Sequence, residues 1–254
     1  MKIKKIINWK LFTYLLLLGL SGVVAVFPFL ITTQGEMLKE LPISLPIVLV
    51  LSIIQSGVLI SLAVFFGILI GKKVGFGSPL LEKISLKKLQ KAKIKPLVLL
   101  SVVVGVVTGF TIIALDKIFS LFIGTIAFEP VPIWQGVLAS FYGGIVEEIL
   151  MRLFLVTTLV WIFTKVKGTG NKPTSTMVWI AIIIASIVFG LGHLPATAQL
   201  TTITPLIVVR AILLNGIGGM VFGWLYWKKG LESAMIAHYS ADIVLLVIFP
   251  MFFR

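Results

Sequence analysis

The sequence predicts an all-α fold, a polytopic bundle of about seven transmembrane helices. Three observations carry this. The 254-residue chain is 59% hydrophobic with a mean hydropathy of +1.14, above the roughly 45–50% apolar content of soluble domains. Its apolar residues fall into seven runs, each near the ~20 residues a helix needs to cross a bilayer. The segments between runs alternate between lysine-rich and lysine-poor, which is the positive-inside pattern.

The elements follow in order. Met1 to Lys10 is basic and leads into an apolar run over 11–33. The apolar core of a cleaved signal peptide spans about 7–15 residues. This run is longer and has no clear small-x-small cleavage site, so it reads as a first transmembrane helix. The second span is 44–71, and a basic loop over 72–96 follows it. That loop sets Lys72, Lys73, Lys83, Lys87, Lys88, Lys91, Lys93 and Lys95 against Glu82 alone, with Leu80, Leu81, Ile84, Leu86 and Leu89 interleaved. The pattern predicts an amphipathic helix lying on the inner leaflet. Spans at 97–115, 134–163, 176–192, 205–227 and 231–252 complete the series. The fourth is long enough to tilt or protrude. The chain divides into an N-terminal part, 1–133, carrying three spans and the basic cytoplasmic loop, and a core, 134–254, carrying four.

Segments 1–10, 72–96, 164–174 and 228–230 hold seventeen lysines, whereas the opposite loops hold only Lys39 and Lys117, and Arg254 closes the chain. The N-terminus is therefore expected in the cytoplasm and the C-terminus outside. The net charge of +13 is a topology signal against anionic lipid and does not point to nucleic acid. The absence of cysteine excludes disulfides, thiolate metal sites and cysteine nucleophiles. Gly67 and Gly71, Gly105 and Gly109, and Gly219 and Gly223 recur four apart and read as helix-packing contacts. Arg210 near a span end reads as snorkelling, and Asn215 as a bond across helices.

Chemistry concentrates in the fourth, fifth and seventh spans. Glu147, Glu148 and Arg152 are the only charged residues between Trp134 and Phe163. An acidic side chain at the bilayer centre costs roughly 2.5–3.5 kcal/mol, so an ionisable cluster at that depth is a functional-site hypothesis by default. Glu148 and Arg152 are four apart and can pair on one helix face. Glu147 is rotated about 100° away on an α-helix and can point into a different cavity. Phe189 and His193 share a face of the fifth span, and His238 and Asp242 share a face of the seventh. A lone intramembrane histidine can be interhelical glue, and an acid–histidine set can be a proton relay in a transporter. Together, two glutamates, two histidines and an aspartate suit hydrolysis, which needs a base, an imidazole partner and donors for an oxyanion.

Glu147-Glu148-Ile-Leu-Met-Arg152, Phe189-Gly-Leu-Gly-His193 and His238-Tyr-Ser-Ala-Asp242 resemble, in this order and on separate spans, the EExxxR, FxxxH and HxxxN/D motifs of the CPBP family. This is the family of CAAX protease and bacteriocin-processing (Abi) intramembrane proteases. The resemblance covers about residues 134–245, and Asp242 stands where other members carry asparagine. It implies an intramembrane endopeptidase, similar to type II CAAX prenyl endopeptidases, acting on a membrane-associated peptide or protein. Bacteriocin processing, self-immunity and envelope regulation are the roles linked to bacterial members. The lysine-rich chain is compatible with a bacterial plasma membrane, where a substrate other than a prenylated protein would be needed.

The resemblance implies a glutamate mechanism. Glu147 acts as general base on a water held with His193, His238 and a protonated Asp242 stabilise the oxyanion, and Glu148 pairs with Arg152; the two glutamates could exchange roles. A zinc version would use Glu147, His193, His238 and Asp242, and the residues alone leave it open, although the metal-free version is favoured. The alternatives are a proton-coupled transporter, which predicts inverted repeats, and an inactive signalling or scaffold protein, which predicts missing motif residues. Neither feature is seen. One tension remains in the spacing. At ~1.5 Å per residue, Glu147 and His193 lie on the order of 25 Å from the inner loop 164–174, but His238 lies on the order of 12 Å from loop 228–230. A tilt, or a turn between the last two spans sunk into the bundle, would reconcile them.

Overall fold

The computed structural model describes residues 7–88, 94–126 and 131–252. Among these residues the secondary structure is helical, with no strand. Seven helices are long and apolar enough to cross a membrane: α1 (Trp9–Thr33), α3 (Leu45–Val74), α5 (Ile94–Ile123), α6 (Ile133–Val166), α7 (Ser175–Ala198), α8 (Pro205–Lys229) and α9 (Leu231–Phe252). The protein is an integral multi-pass membrane protein. Two short helices join the set, α2 (Gly35–Lys39) and α4 (Pro79–Ser85).

The helix ends follow from local chemistry. Asn8 starts α1, accepting from the Leu11 N–H through Oδ1 at 3.2 Å. Gly75 ends α3 at φ +79°, a left-handed conformation that glycine adopts without steric cost. Thr204 accepts from the Ile207 N–H to open α8, with Pro205 in the first helical position, where its missing N–H has no intrahelical acceptor.

Helix α1 packs with α3, and both lie on α6; α5 lies on α8 and α9, and α7 lies on α8. Small residues set these approaches. A Cβ on Gly67 would meet Leu153 Cγ at 2.5 Å, and one on Gly105 would collide with the Ala237 carbonyl. Gly219 and Gly223 approach Ser186 and Ile182 in the same way. Gly71 instead faces the Phe76 carbonyl of its own chain reversal. Leu15, Ile60, Val64, Ile149, Leu153, Val160 and Leu225 form part of a continuous buried core.

Three polar features make contacts that the sequence did not specify. Arg210 forms a 2.6 Å ion pair with Asp116, tying α8 to α5. Asn215 bonds its own helix, donating to the Ala211 carbonyl at 2.9 Å. Within the basic loop, α4 makes polar contacts with the rest of the protein. Ser78 and the Leu81 N–H donate to Glu232, and Asn8 donates to Ser85. Leu89, Lys91 and Lys93 of the expected amphipathic segment lie outside the described residues.

Candidate active site

The helix carrying the glutamates is not a regular α-helix at that point. Tyr142–Glu147 and Ile149–Val156 wind as π-helix. A π-turn bonds i to i+5, so each residue turns the chain through a smaller angle than in an α-helix. Adjacent side chains then diverge less than the 100° of α geometry. Thr157 helps close the segment by donating its hydroxyl to the Arg152 carbonyl at 3.1 Å and sharing a 2.7 Å hydrogen bond with Tyr226.

Both glutamates consequently reach one imidazole and do not enter separate cavities. His238 donates from Nδ1 to Glu148 Oε1 at 2.7 Å. Its Nε2 faces Glu147 Oε2 at 3.6 Å and Asp242 Oδ1 at 3.7 Å. Glu148 Oε1 also meets Arg152 Nη1 at 3.0 Å, and Arg152 Nη2 donates to the Gly219 carbonyl at 3.3 Å. Burial separates the two carboxylates. The Glu148 side chain is 0% exposed and the Arg152 side chain 2%, whereas Glu147 is 22% and Asp242 17% exposed. Glu148 is thus held between one donor, His238, and one ion-pair partner, Arg152, while Glu147 keeps an open side.

Aromatic rings wall this centre. Phe222 stacks on His238 with centroids 4.7 Å apart and planes at 23°. The Arg152 guanidinium lies 5.2 Å from the Phe189 ring centre and 5.6 Å from that of Phe222, within cation–π range. Phe189 also presents edge contacts to both histidines.

His193 stands apart from the carboxylates. Its Nδ1 lies 2.8 Å from the Phe189 carbonyl. A carbonyl only accepts, so Nδ1 carries the hydrogen and, in the neutral ring, Nε2 keeps its lone pair. Among the described residues His193 has no carboxylate within ion-pair distance, and no three histidine, aspartate or glutamate side chains are arranged to hold a metal ion. The donor set Glu147, His193, His238 and Asp242 is not brought together as a zinc shell.

Several contributors were not singled out in the sequence. A Cβ on Gly143 would collide with Asp242 Oδ2 and lie 3.2 Å from His238 Nε2. A Cβ on Gly144 would press on Tyr239. This glycine pair, one turn before the glutamates, is what admits α9 to the site. Phe222 and the Gly219 carbonyl also escaped a reading that treated the glycine-rich sixth span as packing. The only available signal was the proximity of Gly143-Gly144 to the acidic pair.

The depth tension resolves at the turn between α8 and α9. Lys228 and Lys229 are exposed, but Gly230 to Met235 are buried. The Leu231 N–H donates to the Gly77 carbonyl at 3.0 Å. The segment from Gly77 through α4 covers this turn, so His238 need lie only two turns from the helix start to meet Glu147.

Residues 129–244 match the family described as type II CAAX prenyl endopeptidase Rce1-like. The match takes in Glu147, Glu148, Arg152, His193, His238 and Asp242. No curated protein and no solved structure gives a match.

Proposed function

We propose, from the match of residues 129–244 to the Rce1-like family of type II CAAX prenyl endopeptidases, that the chain hydrolyses a peptide bond of a membrane-associated peptide or protein with Glu147 as general base. The observation that carries this reading is the asymmetry of the acidic pair. Glu148 is fully buried between Arg152 and His238, whereas Glu147 is 22% exposed and faces the far nitrogen of that imidazole. A group that must take a proton from water needs room beside it, and a carboxylate already neutralised by a guanidinium is a poor base.

The roles follow from the distances. Glu148, itself paired with Arg152, orients His238 by accepting from Nδ1–H, which directs Nε2 toward Glu147 and Asp242. Separations of 3.6 and 3.7 Å exceed a direct hydrogen bond and suit a bridging water or a substrate oxygen. In the hydrolytic step Glu147 takes a proton from water as its oxygen bonds the scissile carbonyl carbon. His238, as an imidazolium that keeps Nδ1–H on Glu148 and carries a second hydrogen on Nε2, donates from Nε2 to the developing oxyanion together with a protonated Asp242. The proton held by Glu147 then passes to the leaving nitrogen as the C–N bond breaks. His193 acts from the other side of Phe189, accepting at Nε2 from the water or from a substrate N–H.

The experiment is cleavage by the purified full chain in lipid of two internally quenched peptides, one ending in a prenylated cysteine plus three residues and one a plain transmembrane segment. Cleavage of either, unchanged by chelator, is expected. Failure on both would sink the protease reading. Loss of cleavage on chelation, restored by zinc, would replace the unaided glutamate mechanism with a metal-assisted one.

A further inference from the structure

Glu232 is a buried carboxylate that the proposed chemistry does not use. It is 6% exposed and stands at the start of α9, six residues before His238. Its Oε1 accepts from the Ser78 hydroxyl and from the Leu81 N–H, both at 2.6 Å. In return the Gly77 carbonyl accepts from the Leu231 N–H at 3.0 Å. Two helix starts therefore satisfy each other. The acid on α9 takes an N–H from the first turn of α4, and the residue preceding Ser78 takes the first N–H of α9. Neither end could be buried without such partners.

The contact bears on the site because of what α9 carries. His238 and Asp242 both ride on it, and their placement against Glu147 depends on where the helix sits along its axis. Gly105 meets the Ala237 backbone and Gly109 meets Val244, packing contacts that hold α9 close against α5 without a directional bond. Polar contacts resist sliding. Near the start of α9 these are the exchange at Gly77, Ser78 and Leu81 and the 2.7 Å hydrogen bond of Ser233 with Ser101 of α5.

We propose that Glu232, latched to Ser78 and Leu81, is a positioning residue for the reaction. It fixes the axial register of α9 and so the distance from His238 and Asp242 to Glu147. The proposal rests on the protease reading for its consequence in turnover but not for its structural content. The loop after the second span thereby becomes part of the machinery that aligns the site.

The test uses the full chain in lipid nanodiscs as wild type, Glu232→Ala, Glu232→Gln and Ser78→Ala. Two measurements are made: hydrogen exchange of the backbone over 236–243, and turnover of whichever quenched peptide the wild type cuts. Glu232→Ala is expected to speed exchange over 236–243 and lower kcat on the order of 10–100-fold, the scale of a small misplacement of catalytic groups, with KM unchanged. Glu232→Gln, which keeps an oxygen acceptor, is expected to recover most of the rate, and Ser78→Ala to fall between. Unchanged exchange over 236–243 in Glu232→Ala overturns the proposal, as does faster exchange confined to 76–85 with kcat intact. A wild type that cuts neither peptide defeats the protease reading alone, and the exchange data then decide the latch by themselves.

Discussion

At the scale of single residues, the site separates groups of the same chemistry by their surroundings. Glu147→Gln keeps the volume and removes the proton acceptor, so proteolysis is expected to fall by about 10²–10⁴-fold with thermal stability unchanged. Normal turnover in that variant would end the proposed role. Arg152→Ala works differently. It strips the fully buried Glu148 of its guanidinium and empties the space beside Phe189 and Phe222. Breaking a buried pair typically costs about 3–5 kcal/mol, so lower thermal stability is expected together with lost activity. An inactive protein as stable as wild type would instead make Arg152 a participant in the chemistry. Gly143→Ala adds one methyl group where the Asp242 carboxylate sits. The methyl must displace Asp242 or spread α6 from α9, and loss of turnover with retained folding is expected. Full activity would mean that the Gly143 contact relaxes without consequence.

At the scale of elements, the sequence made the existence of each span legible and its local winding illegible. Hydropathy predicts spans at 134–163 and 231–252, and helices run over Ile133–Val166 and Leu231–Phe252. Nothing in a hydropathy pattern distinguishes π from α turns, so the reading gave Glu147 and Glu148 an α-helical divergence and separate cavities. The wider winding brings both to His238. A span end shifts where a polar pair lies inside a helix: the third span, predicted to end at 115, runs on to Ile123, so Asp116 sits within α5, bonded to Arg210. The lysine–leucine pattern of the basic loop predicts a helix but not its partner: Glu232 lies 154 positions from Ser78, and no local pattern joins them. Thr157 tests the π segment directly. Thr157→Val keeps the shape but removes the hydroxyl that bonds the Arg152 carbonyl and Tyr226. Leaving buried polar groups unsatisfied costs about 1–3 kcal/mol, so a lower unfolding temperature is expected, and an unchanged one would show that the π winding holds without the hydroxyl.

At the scale of the whole molecule, the basic segments gather at one end of the bundle. Asn8 beside the N-terminal run bonds Ser85 of α4, and Gly77 bonds Leu231 in the turn after Lys228 and Lys229. Lys73 at the end of α3 and Lys165 at the end of α6 both lie over the Trp161 ring, 5.6 and 6.0 Å from its centre. Lys228 covers Trp227 at 3.4 Å. Indoles flanked by lysines suit a membrane interface, and an anionic inner leaflet attracts such residues by about 1 kcal/mol each. The opposite end carries α2, where Lys39 is paired with Glu36 at 2.7 Å and contributes little net charge. The positive-inside rule then predicts an orientation with the α4 end in the cytoplasm and α2 outside. The chain has no native cysteine, so single introduced cysteines report side without background. In intact cells, a membrane-impermeant maleimide is expected to label Lys39→Cys and to spare Lys88→Cys and Lys172→Cys until the membrane is opened. Labelling of Lys88→Cys and Lys172→Cys from outside, with Lys39→Cys protected, would invert the bundle. The latch between α4 and α9 would then face the exterior, and the lysine–tryptophan end would need an explanation other than the charge of the inner leaflet.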